Sequence, residues 1–165
     1  MRKFISFALT FTLIFISACS NKTANAIAEL NENTNLPFHL TMPEKDLAYD
    51  DTYVLGHGFG GYTLEKDGLL IWLAGWPDVL DAYHVTEYRF TSGAYNVFGI
   101  SVGSTLSDAV LILEAQGYTL DSGANRCFVY QKGKQAEITL TADTVGCIYE
   151  IWVTAVVTNK QGVVF

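Results

Sequence analysis

Ile100-Ser101-Val102-Gly103-Ser104-Thr105-Leu106-Ser107-Asp108-Ala109-Val110-Leu111-Ile112-Leu113-Glu114-Ala115-Gln116-Gly117-Tyr118 is the stretch on which the fold turns. Thr105 is a good helix N-cap. Asp108 stands three residues on, as in a capping box, and suits the positive end of the helix dipole. Leu106, Ala109, Val110 and Leu113 recur at helical spacing and form one apolar stripe. Gly117 supplies the left-handed stop. The spacing predicts one clear helix over about 105–116, with a single face buried.

Working outward, three strands follow the helix. Arg126 to Gln131 is the first, and Lys132-Gly133-Lys134 turns. Ala136 to Thr141 alternates cleanly, with Ile138 and Leu140 on one face. Ala142 to Gly146 turns again, and Cys147 to Val156 forms a long third strand. With two tight turns, Phe128, Ile138 and Ile151 stand side by side on the face toward the helix. Cys147 then joins that face and Cys127 does not. Before the helix, Tyr62 to Lys66 reads as a strand. Asp67-Gly68 is a strong type I′ hairpin signal, and Leu69 to Ala74 is the return strand. Tyr83 to Thr91 is a further strand. Glu87-Tyr88-Arg89-Phe90 aligns with Glu150-Ile151-Trp152-Val153, which reads as a faint, diverged duplication of units at about 52–94 and 95–156. Met42 to Leu47 is the one short candidate for a helix in the first unit. The expected class is α+β: an antiparallel sheet with the 105–116 helix packed on one face.

A short strand, then Gly99-Ile100-Ser101-Val102-Gly103, a capped helix ending in Gly117-Tyr118 and a strand meander resembles the repeat of the β-lactamase-inhibitor-protein-like fold. That repeat is also seen in small lipoproteins of outer-membrane assembly and in lipoproteins of Gram-positive bacteria. The resemblance is best over 95–156 and weaker over 52–94. It implies an α+β fold with an antiparallel sheet, and a role in binding protein rather than in catalysis.

The N-terminus gives an address. Met1-Arg2-Lys3 precedes an apolar run from Phe4 through Ile16, the pattern of a signal peptide over residues 1–18. The run is too short for a spanning helix, which needs roughly 20 apolar residues. Ile16-Ser17-Ala18-Cys19 resembles the lipobox of bacterial lipoproteins. The resemblance implies cleavage before Cys19 and attachment of fatty-acyl chains such as palmitate to it. More than one chain gives stable membrane anchoring. Residues 20–36 are rich in asparagine and read, with Cys19, as a lipidated, flexible tether. The expected globular domain is then 37–165. The expected location is the extracytoplasmic face of the cell envelope: the cytoplasmic membrane in a Gram-positive host, or the outer membrane in a Gram-negative one, since Ser20 carries no Asp-type retention signal.

Removing Arg2 and Lys3 from ten basic residues leaves eight against seventeen acidic ones, a net of −9. Such a surface does not suit nucleic acid, whose phosphates need a basic face. Cys127 and Cys147 are an even pair in an exported chain, which favours a disulfide. The strand reading puts them on non-adjacent strands and opposite faces, too far apart to bridge, so free thiols are expected.

Catalytic signals are sparse. Gly56-His57-Gly58-Phe59-Gly60-Gly61 lacks the spacing of a phosphate-binding loop and precedes a strand, so it reads as a flexible connection or bulge. Asp78, Asp81 and His84 would gather around a metal only on a helix, and the strand-like residues after Ala82 spread them apart. His39, His57 and His84 belong to no recognisable nucleophile motif. No cofactor, metal or enzymatic activity is expected.

The aromatic residues carry the remaining signal. In Leu70-Ile71-Trp72-Leu73, alternation puts Ile71 and Trp72 on opposite faces. Trp72, Trp76, Tyr83 and Tyr88 are the candidate binding residues, with Trp76, beside Pro77, the least expected to be buried. An exposed aromatic patch suits a protein partner or a glycan; ordinary core and cross-strand packing explains aromatic residues in a small β-rich domain slightly better. The expectation is a non-enzymatic module anchored to lipid through Cys19 that binds an envelope protein. The alternatives are a glycan or small-ligand binder and, third, a hydrolase or metal-dependent enzyme using His57 or His84.

Overall fold

The computed structural model describes residues 26–58, 60–75 and 83–156. The expected signal peptide 1–18, Cys19, Trp76, Asp78, Asp81 and residues 157–165 lie outside the described residues.

In chain order the described elements are α1 (Ala26–Glu32), a 3-10 turn (Glu44–Asp46), β1 (Val54–Gly58), β2 (Gly61–Lys66), β3 (Leu69–Ala74), β4 (His84–Phe90), β5 (Asn96–Val97), β6 (Ile100–Ser101), α2 (Leu106–Ala115), β7 (Thr119–Ala124), β8 (Cys127–Lys132), β9 (Ala136–Ala142) and β10 (Ile148–Ala155). Eight strands form one antiparallel sheet in the order β1-β2-β3-β4-β10-β9-β8-β7, and β5-β6 is a small separate hairpin. Each half of the sheet is thus a four-stranded meander. The halves meet where β4 pairs with β10, through Tyr88↔Val153 and Arg89↔Trp152.

The two helices sit on one face. Helix α2 is built as its sequence dictates. The Thr105 hydroxyl accepts from the Asp108 amide at 3.2 Å and donates to the Asp108 carboxylate at 2.6 Å. Gly117 ends the helix at φ 82°. Ala109 and Leu113 are buried, while Leu111 on the opposite side is exposed. Beneath the helices, Leu64, Ile71, Tyr88, Val153, Ile138 and Tyr130 form one transverse buried row from β2 to β8. The alternation of each strand turns such residues to the helix layer and their neighbours to the other side.

There are two helices where one was expected, and α1 lies within the stretch read as tether. Ala26 and Leu30 are buried in the core, and the asparagines act as clasps for the backbone. The Asn31 side chain bonds both the N–H and the C=O of Leu40. The Asn35 side chain donates to the Ala94 carbonyl at 2.8 Å and accepts from the Asn96 amide at 2.7 Å. Short amides satisfy loop backbone groups locally, so an asparagine-rich composition was compatible with fixed structure. Met42 to Leu47 contains only the single 3-10 turn.

The expected row of Phe128, Ile138 and Ile151 is offset. Phe128 pairs with Leu140, and Leu140 with Ile151, while Ile138 stands between Tyr130 and Val153. All are on the helix face, but the β8–β9 loop is centred on Lys134, not Gly133, which slides the register by two residues. Cys147 does not share that face either. A bulge at Tyr149 shifts the phase of β10, so Ile148 takes the buried position opposite Ala142. Cys147 and Cys127 are both free thiols.

Candidate functional site

The second face of the sheet carries no described element. Three strands at its centre define its chemistry. On β3 the outward residues are Leu70 and Trp72; on β4 they are Glu87 and Arg89; on β10 they are Glu150, Trp152 and Thr154. Register places them in transverse rows. One row runs Thr63, Trp72, Glu87, Thr154, Glu137, Gln131; the next runs Glu65, Leu70, Arg89, Trp152, Thr139, Val129. Trp72 and Trp152 therefore stand diagonally across β4. Between them lies a shallow depression of about 410 Å³ lined by Thr63, Leu70, Trp72, Glu87, Arg89 and Trp152.

Each wall of this depression is held by a neighbour. The Arg89 guanidinium lies over the Trp152 ring at 5.2 Å, and its Nε donates to Glu150 Oε1 at 2.5 Å. Thr154 Oγ1 donates to Glu87 Oε2 at 3.3 Å. Gln131 Nε2 donates to Glu137 Oε2 at 3.2 Å. Burial pushes the Glu87 carboxyl above the usual range. The Thr154 hydrogen bond and the Arg89 charge oppose that shift, and the Glu137 charge adds to it. On the other side, Trp72 reaches over the edge strand. A methyl group added at Gly58 would overlap the Trp72 ring, and one at Gly56 would overlap the Thr63 hydroxyl. The glycine-rich stretch read as a connection is thus an edge strand and hairpin. Gly56 and Gly58 leave room for the side chains of the neighbouring strands, and Gly60 turns the chain at φ 80°.

The candidate residues separate. Trp72 is on the open face, opposite in sense to fully buried Ile71, as alternation requires. Tyr88 is at 0% exposure in the core, and its hydroxyl donates to the Phe38 carbonyl at 2.5 Å. It belongs to the helix-side layer and offers no docking surface. Tyr83 is partly exposed, but it packs edge-on against Tyr62 at 5.4 Å, and Tyr62 rests on the core and donates to Glu44 at 2.7 Å. It lies at the rim away from Trp72's face. Trp76 is outside the described residues.

Trp152, Arg89 and Glu87 were absent from the candidate set, although they complete the depression. No local signal pairs them: the alignment of Glu87-Tyr88-Arg89-Phe90 with Glu150-Ile151-Trp152-Val153 concerns repeat equivalence, and the antiparallel register that brings Arg89 to Trp152 is a long-range contact. The structure makes those two residues cross-strand partners.

His57 lies exposed on the edge strand β1, His39 in the loop after α1 and His84 at the start of β4. Among the described residues, no group of three or more His, Cys, Asp or Glu side chains is gathered as a metal site, and no helix is long and apolar enough to cross a membrane. The arrangement can stack aromatic faces on a ligand and offer it carboxylates. No protein-family model, curated protein or solved structure matches the chain.

Proposed function

We propose that the chain is a lipid-anchored, non-enzymatic binding module of the cell envelope. Its open sheet face docks a protein partner on the extracytoplasmic side. The observation that carries this reading is a sheet face that no described element covers, with Trp72 and Trp152 framing a depression beside Arg89 and Glu87. Tryptophan and arginine are the side chains that most often dominate the energy of protein interfaces. The paired central strands hold both aromatic residues on rigid elements, which lowers the entropy cost of docking.

The anchor in this reading is Cys19. Seven residue steps separate it from Ala26. Fully extended they reach about 25 Å, so the domain works close to the bilayer. The two four-stranded meanders, each preceded by a helix, support a diverged duplication, and so does the resemblance to the β-lactamase-inhibitor-protein-like repeat.

The test is capture from envelope extract by the immobilised chain, with Trp72→Ala and Trp152→Ala as parallel baits. One protein retained at near-equal amount by the unaltered chain and lost from both variants is the expected result. Equal retention by all three baits would remove the open face from the function. Retention of a polysaccharide in place of a protein would assign the same face to glycan binding.

A further inference from the structure

The open face is charged in one sense. Its positions on β2, β4, β9 and β10 carry Glu65, Glu87, Glu137 and Glu150, and Arg89 is the only lysine or arginine at those positions. The other described cations of these central strands and of β8 turn to the helix side. Lys132 pairs there with Glu29, and Lys66 lies over the Tyr53 ring at 5.1 Å.

Arg89 is already committed to Glu150 and to the face of Trp152. Glu87 also feels the charge of Arg89 across the depression, but no described cation is hydrogen-bonded to Glu87 or Glu137. They flank Thr154 in one transverse row, and the hydrogen-bond partners of their carboxylates are the neutral side chains of Thr154 and Gln131. Both are partly buried, so solvent screens them less than it screens a free surface charge. Next to Glu87 the depression is walled by two indole rings. A carboxylate set beside an aromatic face is the chemistry that holds an ammonium or guanidinium group. It repels a phosphate or a partner's carboxylate, and an anionic lipid surface with them.

We infer that the open face recognises a basic segment of the partner protein. A lysine or arginine side chain of that segment enters the depression between Trp72 and Trp152 against Glu87, and the next cation along it meets Glu137. The inference rests on the protein-binding reading above and names the chemistry of the partner. Arg89 then serves as the internal counterpart. It fixes Trp152 in place and pairs directly with Glu150, which leaves Glu87 and Glu137 as the carboxylates of the face without a bonded cation.

The experiment uses the full chain in neutral detergent and a blocked hexapeptide of alternating lysine and threonine. Its glutamate-for-lysine analogue is the control. The chain has three tryptophans, two of them on the open face, so tryptophan emission reports occupancy. The expected result is a saturable change with the lysine peptide and none with the glutamate peptide. Glu87→Gln combined with Glu137→Gln should weaken the lysine peptide about tenfold or more. Both substitutions keep side-chain size, and a thermal transition no lower than that of the unaltered chain confirms folding. A response unaltered in the double variant would overturn the inference. So would equal response to both peptides, or none to the lysine peptide up to about 1 mM. A captured partner that depends on Trp72 but ignores the double glutamine variant would also remove it, while leaving the protein-binding reading intact. An extract with no Trp72-dependent partner would instead remove that reading, and the protein occupant with it.

Discussion

Arg89 and Trp152 are cross-strand partners at the seam between the two halves of the sheet, with the guanidinium 5.2 Å above the indole ring. Arg89 also bonds Glu150, and its side chain is 41% exposed. Glu150 is only 15% exposed, so the pair is half-buried: it is worth more than a surface salt bridge, and the stacking adds a modest term. Arg89→Met should therefore cost about 1–2 kcal/mol of stability in a denaturant titration, short of the loss at a fully buried pair. It should nonetheless change tryptophan emission, because Trp152 loses the cation over its face. A large stability loss with unchanged emission would mean that Arg89 is structural and does not position Trp152.

Tyr88, two positions before Phe90 on the same buried face, behaves in the opposite way. Its hydroxyl is buried and donates to Phe38, fixing the loop after α1 to the sheet. Tyr88→Phe leaves the Phe38 carbonyl without this donor and should cost about 1–3 kcal/mol, read as a lowered denaturation midpoint. Partner capture by the folded fraction should stay at the unaltered level, since Tyr88 faces away from Trp72. Loss of capture at full folding would place Tyr88 in the binding function after all.

Gly58 offers a way to disturb the open face without removing an aromatic group. Alanine has the better strand backbone entropy, yet its methyl group would overlap the Trp72 ring. Because that ring sits at a surface, it can swing outward. Gly58→Ala should then cost about 1 kcal/mol or less, shift tryptophan emission and weaken partner capture much as Trp72→Ala does. Unchanged emission would show that Trp72 does not rest over Gly58 in solution.

How much of this was legible in the sequence depended on whether the cue was local. The capping box at Thr105 and Asp108 and the Asp67-Gly68 turn, with φ of 50° and 77°, are short-range devices and could be read directly. Strand β7 escaped notice because Thr119-Leu120-Asp121-Ser122-Gly123-Ala124 is exposed throughout and shows no apolar alternation. Its turn to β8 uses Asn125 and Arg126, both at positive φ, in place of a glycine signal. Ala24 to Leu30 allows a turn or two of helix, but its asparagine-rich surroundings read as tether and concealed that α1 packs into the core. The phase of β10 was lost at the Tyr149 bulge, which no residue type announces. The candidate site failed for a related reason. Trp72 and Trp152 come together only through the β4–β10 pairing, a contact between distant parts of the chain that strand periodicity alone does not specify.

Glu87 gives a test of the site through pH alone. Burial raises its carboxyl above the ordinary value of 4.5, so the folded chain holds that proton more tightly than the unfolded chain does. Between the unfolded and folded values the folded state binds more protons, and stability contributed by this group falls as pH rises through that window. Above that window the ionised Glu87 is therefore a net cost, and Glu87→Gln should make the protein more stable there, with Thr154 still able to donate to the amide oxygen. Below about pH 4 both forms are neutral and the advantage should vanish. Thermal transitions of the two proteins across this range check the sign. The gain should also shrink at neutral pH when the lysine peptide is present, because a cation seated against Glu87 stabilises the ionised form that glutamine replaces. A gain that is independent of pH would show that Glu87 is not held above its ordinary value, and the substitution would then be acting through packing alone.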